Sequence, residues 1–251
     1  MSGHSKWASI KHQKGVADAR RGQLFTKLTR EIIVAVREGD SNPDTNFRLR
    51  LAIQKARDSN MPLENIEKSI KRGSGELEGV QLVEMVLEGY GPNGAAILIE
   101  ALTDNRNRTL QEIRNIFSRR GSSLAESGSV TWLFDTKGLI TVETDNLDAD
   151  ELALQAIDAG AEDVDIQPGY LGIFTKPEEL EAVRATLEQS NIAIRSAELA
   201  KIPKTTVQLD ERAALQVLKL LEKLEELDET QSVCCNVDFP DNVLEKYKAQ
   251  V

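Results

Sequence analysis

A chain of 251 residues with 40% hydrophobic content can bury a sizeable core in two or three domains, while 29% charged residues and no apolar run near the roughly 18 residues of a membrane span argue against a membrane protein. The net charge of −10 is unevenly spread: residues 1–75 hold 15 Lys and Arg against 8 Asp and Glu, a net +7, and residues 76–251 hold 16 against 33, a net −17. An acidic body repels phosphate, so a polyanion is expected to meet the N-terminal region alone; a basic start with no apolar segment behind it points to the cytoplasm.

Residues 1–30 concentrate that positive charge in Lys6, Lys11, Lys14, Arg20, Arg21, Lys27 and Arg30, against the single acid Asp18. Ammonium and guanidinium groups release counterions when they neutralise phosphates, which makes these residues candidate nucleic-acid contacts. The alternative is an arm lying on the protein's own acidic surface. Trp7 has two readings, stacking on an unpaired base or anchoring the terminus to the helical core. His4 and His12 donate to phosphate when protonated, and neither has partner ligands at metal spacing.

Residues 17–38 read as a helix whose apolar face carries Leu24, Leu28, Ile32 and Ala35, with Phe25 and Val36 beside them, and whose cations fall on another sector. Gly39 and the turn Ser41–Asp44 end it. A second helix over about 45–58 places Leu49, Ala52, Ile53 and Ala56 inward and leaves Arg48, Arg50, Lys55 and Arg57 outside. Pro62 opens a third, with Leu63, Ile66 and Ile70 inward, closed by Gly73. Three short helices make a basic helical domain over 1–75, with Gly73-Ser74-Gly75 as its linker.

Beyond residue 80 the period shortens. Val83–Tyr90 and Ala95–Thr103 read as strands joined by the hairpin turn Gly91-Pro92-Asn93-Gly94, 108–120 as a helix and Val130–Phe134 as a strand. From 138 to 202 the order is strand (139–143), helix (148–160), strand (163–166), strand (170–175), helix (177–190) and strand (192–199), the βαββαβ order of a ferredoxin-like unit. A strand at Thr205–Leu209, a Leu-rich helix at 211–226 and a strand at Ser232–Val237 follow. The fold class is therefore α+β in three domains: the helical domain, a discontinuous α/β domain over 80–137 and 203–251 that is itself ferredoxin-like, and an inserted ferredoxin-like domain over 138–202.

The polar run Asp104-Asn105-Arg106-Asn107-Arg108-Thr109 lies at a strand–helix junction. Thr103 and Asp104 are placed to cap the helix, and Arg106 and Arg108 either pair with nearby carboxylates or meet a partner. Cys234 and Cys235 are adjacent, outside any C-x-x-C or zinc spacing, and are expected as two reduced thiols in a strand. No G-x-S-x-G, Walker A or H-E-x-x-H motif is present, and neither His has a nucleophile beside it, so no enzyme, cofactor or metal is expected.

Gly3-His4-Ser5-Lys6-Trp7-Ala8, Ile10-Lys11-His12, Lys14, Asp18-Ala19, Arg21-Gly22 and Phe25-Thr26-Lys27-Leu28 resemble the start of the YebC/PmpR family. The resemblance continues through Gly89–Gly94, Thr103–Thr109 and Gly128-Ser129-Val130; Ser9 and Gln13 stand where the family more often has Asn and a basic residue. It implies a three-domain arrangement and a transcriptional regulator that binds promoter DNA. Members of the family, which has a mitochondrial relative that activates translation of cytochrome oxidase mRNA, are also implicated in translation, so the alternative is a ribosome-associated factor that eases progress through sequences such as proline runs, with ribosomal RNA as partner. A third class, an acidic protein–protein adaptor, needs no nucleic acid.

Overall fold

Leu28, Ile32, Ala35 and Val36 recur at three and four residues along helix α1 (Asp18–Glu38) and close a small core with Leu49, Ala52, Ile53 and Ala56 of α2 (Phe47–Asp58) and Ile66 of α3 (Leu63–Gly73). This computed structural model describes residues 18–144 and 147–249, the side chains of 18–20 and 248–249 excepted. The turn between α1 and α2 is held by Asn46: its Nδ2 donates to the carbonyls of Ala35 (2.7 Å) and Asp40 (2.8 Å), and its Oδ1 caps α2 by accepting from Leu49 N–H (3.0 Å). Gly73 is the last residue of α3, as expected, and is packed against α1. A Cβ there would lie 2.7 Å from Val36 Cβ, so only glycine lets α3 approach α1 this closely. Leu63, expected inward, is 59% exposed.

One sheet has the strand order β3-β1-β2-β9, all antiparallel, from β1 (Val83–Tyr90), β2 (Ala96–Thr103), β3 (Ser123–Leu124) and β9 (Thr230–Cys235). The turn Gly91–Gly94 sets the β1/β2 register from Val83 opposite Thr103 to Tyr90 opposite Ala96, with Asn93 and Gly94 at positive φ (54° and 77°). One face is covered by α4 (Arg106–Arg119) and α7 (Glu211–Glu225), burying Ile97, Ile99, Ile113, Phe117, Val217 and Leu221. The sheet has four strands and two helices, but Val130–Phe134 and Thr205–Leu209, expected among its strands, are not in it: β1 and β3 stand in their place and the chain order is ββαβαβ. Helix α8 (Asp241–Ala249) adds Val243, Leu244 and Tyr247 to this core; the sequence reading had not assigned it.

The second sheet is drawn wholly from residues 134–203: β4 (Phe134–Glu143), β5 (Asp163–Gln167), β6 (Tyr170–Thr175) and β7 (Ile194–Pro203), in the order β5-β6-β4-β7. Helices α5 (Ala149–Asp158) and α6 (Leu180–Gln189) pack on Ile140, Val142, Leu171 and Ile173. This is the βαββαβ arrangement the spacing predicted. Residues 207–208 (β8) form no part of either large sheet and pair in parallel with β10 (Val237–Asp238).

Val130–Phe134 was expected as a strand, and the structure instead has a single 3-10 turn at Thr131–Leu133 with β4 starting at Phe134. The cause is Glu88, only 4% exposed, whose carboxylate accepts from the backbone N–H groups of Gly128 (2.6 Å), Val130 (2.6 Å) and Thr131 (2.9 Å). Chain wrapped around a carboxylate cannot offer those donors to a ladder. No helix among the described residues is long and apolar enough to cross a membrane.

Candidate nucleic-acid interface

Helix α1 carries the described part of the basic stretch. Lys6, Trp7, Lys11, His12 and Lys14 lie outside the described residues, as does the side chain of Arg20. Arg21 is exposed near the start of the helix. Two further residues expected to meet phosphate, Lys27 and Arg30, are turned to another use. Lys27 Nζ donates to the carbonyl of Glu225 at 2.6 Å, and Gln23 Nε2 donates to that of Glu226. Both acceptors end α7, where the last turn leaves carbonyls without intrahelical partners and the helix dipole favours a cation. Arg30 Nη1 donates to Leu102 O (3.1 Å) at the end of β2 and lies 3.5 Å from Glu229 Oε1.

Three of the four outward cations of α2 are engaged in the same way. Arg48 pairs with Glu38 and Glu84, Arg50 with Glu181 (3.3 Å), and Lys55 with Glu198 (3.0 Å) and Glu31 (3.6 Å). Burial pushes the Lys55 ammonium towards neutrality, but the two carboxylates outweigh it and its pKa is raised. With Phe47 and Leu51 packed against the second sheet's core, these pairs fasten the helical region to the acidic body. Sequence periodicity separated polar from apolar sectors and could not separate a solvent face from a face turned to another domain. Arg57, Lys71 and Arg72 remain exposed, with no ion pair among the described residues.

At the start of α4 the cap is Asn105, one residue beyond the expected Asp104. Its Oδ1 accepts from Arg108 N–H (3.1 Å), while Thr103 Oγ1 accepts from Asn105 N–H (2.9 Å). Arg108 forms ion pairs with Asp104 (2.6 Å) and Glu229 (3.2 Å), which is the structural one of its two readings. Arg106 is exposed and has no ion pair among the described residues. Glu229, 8% exposed, thus receives Arg30 from α1 and Arg108 from α4; nothing in its own sequence neighbourhood marked it. A cleft of about 390 Å³ opens beside this junction, lined by Thr26, Thr29, Arg30, Arg72, Glu78 and Asp104 among others. Among the described residues no group of three His, Cys, Asp or Glu is disposed to hold a metal ion.

Helix α1 thus has an exposed Arg21 near its start and, further along, Lys27 and Arg30 engaged with the body. Comparison with known proteins finds the family of the TACO1/YebC N-terminal domain matching residues 5–76 and that of the TACO1/YebC second and third domain matching 82–237. A probable transcriptional regulatory protein of Dehalococcoides mccartyi is 60% identical over 250 residues, covering all of both chains. Another from Dictyoglomus turgidum is 50% identical, covering 98% of this chain and 99% of its own. The crystal structure of a conserved hypothetical protein from Aquifex aeolicus superposes with a TM-score of 0.87 at 49% identity, covering 94% of this chain and 97% of the other.

Proposed function

Because the chain belongs to the TACO1/YebC family, whose similar members carry the name of probable transcriptional regulatory proteins, we propose that this regulator acts on DNA through its basic N-terminal region. The contacts are assigned to Lys6, Lys11, Lys14, Arg20 and Arg21, with Lys27 and Arg30 positioning the helix that carries them. The observation behind this reading is the charge split: a net +7 before residue 76 against −17 after it, with Lys27, Arg30, Arg48, Arg50 and Lys55 engaged by the protein itself. Arg57, Lys71 and Arg72, exposed and without an ion pair among the described residues, belong to the same N-terminal region, so the positive charge that favours a polyanion stands before residue 76.

A phosphate backbone is the same electrostatic target in DNA and in ribosomal RNA, so the two are separated by where the protein travels. Cell lysate is fractionated on a sucrose gradient with and without DNase and RNase. Association with chromosomal DNA that DNase abolishes supports the reading. Sedimentation with ribosomal particles that RNase abolishes moves the target to ribosomal RNA, and migration free of both moves the protein to the adaptor class.

A further inference from the structure

The sheet β3-β1-β2-β9 has helices on one face only. On the other, β1 presents Val86 and Tyr90, which are 52% and 40% exposed, and the 3-10 turn that follows the Gly128 loop presents Trp132, 66% exposed. Trp132 Nε1–H and Tyr90 O–H both donate to one acceptor, the carbonyl of Ser129, at 3.0 and 3.3 Å. That carbonyl is itself held in place, because the Glu88 carboxylate grips the backbone N–H groups on either side of it. Each ring therefore has its polar tip satisfied inside the protein and its apolar face open. Large aromatic groups immobilised before contact lose little entropy on binding, which is how hot-spot anchors work.

The surrounding charge selects the occupant. Glu100 stands directly across from Val86 in the β1/β2 register, and Glu84 lies on the same face, where Arg48 neutralises it. Glu100 accepts a hydrogen bond from the Ser232 hydroxyl at 2.6 Å and has no ion pair among the described residues. The platform belongs to the −17 part of the chain, which disfavours a phosphate-bearing strand and favours a cation over an indole face. We propose that Tyr90 and Trp132 form a docking site for an arginine-bearing segment of a partner protein, with a guanidinium stacked on Trp132 and drawn by Glu100, and the adjoining apolar part of the segment on Val86. Its occupation does not depend on nucleic acid.

The chain has two tryptophans, so Trp7→Phe leaves Trp132 as the sole indole reporter. In this variant a short Arg-Gly repeat peptide is titrated at near-physiological salt, with an oligouridylate of similar length as the competitor chemistry. The expected result is saturable quenching of Trp132 by the peptide and none by the oligonucleotide. Anisotropy of labelled peptide should show affinity reduced about threefold to tenfold by Trp132→Ala and partly restored by Trp132→Phe, the range expected for one partly exposed cation–π contact. Glu100→Gln should weaken the peptide further and lower its salt dependence. Peptide affinity unchanged by Trp132→Ala would overturn the proposal, as would quenching by the oligonucleotide alone, which makes the platform a base-stacking site. Since Trp132 is mostly exposed, thermal melts of its variants should match the parent, and that match identifies a loss of binding as local.

Discussion

The guanidinium of Arg30 lies 3.5 Å from the carboxylate of Glu229, joining the helix that carries the basic stretch to the loop between α7 and β9. Glu229 also takes Arg108, so two cations from different parts of the chain share one largely buried acid. Breaking such a pair leaves a desolvated charge without its counterpart. Glu229→Ala should therefore destabilise the protein by about 2 kcal/mol, and Arg30→Ala by somewhat less because Glu229 keeps Arg108. Chemical denaturation measures both. The companion measurement is nucleic-acid affinity across a salt series, where Arg30→Ala should leave the slope unchanged, since Arg30 is assigned to positioning and not to phosphate.

Glu88 offers a second test, through pH. Burial alone would raise its carboxyl pKa, but the backbone donors of Val130, Gly128 and Thr131 favour the charged form and the net shift is downward. A carboxylate with a folded-state pKa below its unfolded value contributes stability above the unfolded value and loses it as pH falls through the folded one. At neutral pH Glu88→Gln should cost about 2 kcal/mol, the difference between charge-assisted and neutral hydrogen bonds at three donors. The gap between wild type and variant should narrow as pH drops below the ordinary carboxylate range. A gap that stays constant with pH would show that the ionised state of Glu88 contributes nothing.

The two cysteines of β9 are free and buried. Burial pushes the Cys235 thiol up to about 12 and raises Cys234 as well, the latter also through the nearby Glu100 charge. Thiols held neutral in a core are poor nucleophiles. Iodoacetamide at mildly alkaline pH should leave the folded protein unlabelled and label both positions in denaturant; rapid labelling of the folded chain would contradict their placement.

Nesting of the second sheet within the first is testable by excision. Phe134 and Asp135 stand opposite Pro203 and Ile202 in the β4/β7 register, so the ends of the segment are strand neighbours and a short Gly-Ser bridge from Asp135 to Lys204 spans them. We expect the shortened chain to unfold in one cooperative transition at reduced stability, since Phe47 and Leu51 lose the surface they pack on. The excised segment should fold by itself. Loss of structure in both pieces by circular dichroism would contradict independent units.

The second sheet was legible because its strands and helices alternate at regular lengths and Gly160 marks the end of its first helix. The helical core was legible because Leu28, Ile32, Leu49 and Ala52 keep the helical period. What stayed hidden was tertiary. Glu88 sits in an alternating strand pattern that gives no hint of the loop it gathers forty residues later, and that loop was taken for a strand from its Val and Phe content. Lys27 and Arg30 look identical to exposed cations in a helical projection. Their partners Glu225 and Glu229 lie about two hundred residues away, and no local pattern announces them.

The central claim is that the basic stretch up to Arg21, including the first turn of α1, meets phosphate while Lys27 and Arg30 hold that helix on the body. The direct measurement is the salt dependence of affinity for duplex DNA by fluorescence anisotropy. Phosphate contacts by Lys6, Lys11, Lys14, Arg20 and Arg21 predict a slope of log affinity against log salt of about −4.5, at about −0.9 for each contact. Each single change to Ala should shrink the slope by about one contact and weaken all sequences alike. Lys27→Ala and Arg30→Ala should lower thermal stability and leave the slope as it is. A wild-type affinity independent of salt, or a slope that falls as much for Lys27→Ala and Arg30→Ala as for Lys11→Ala, would contradict the account.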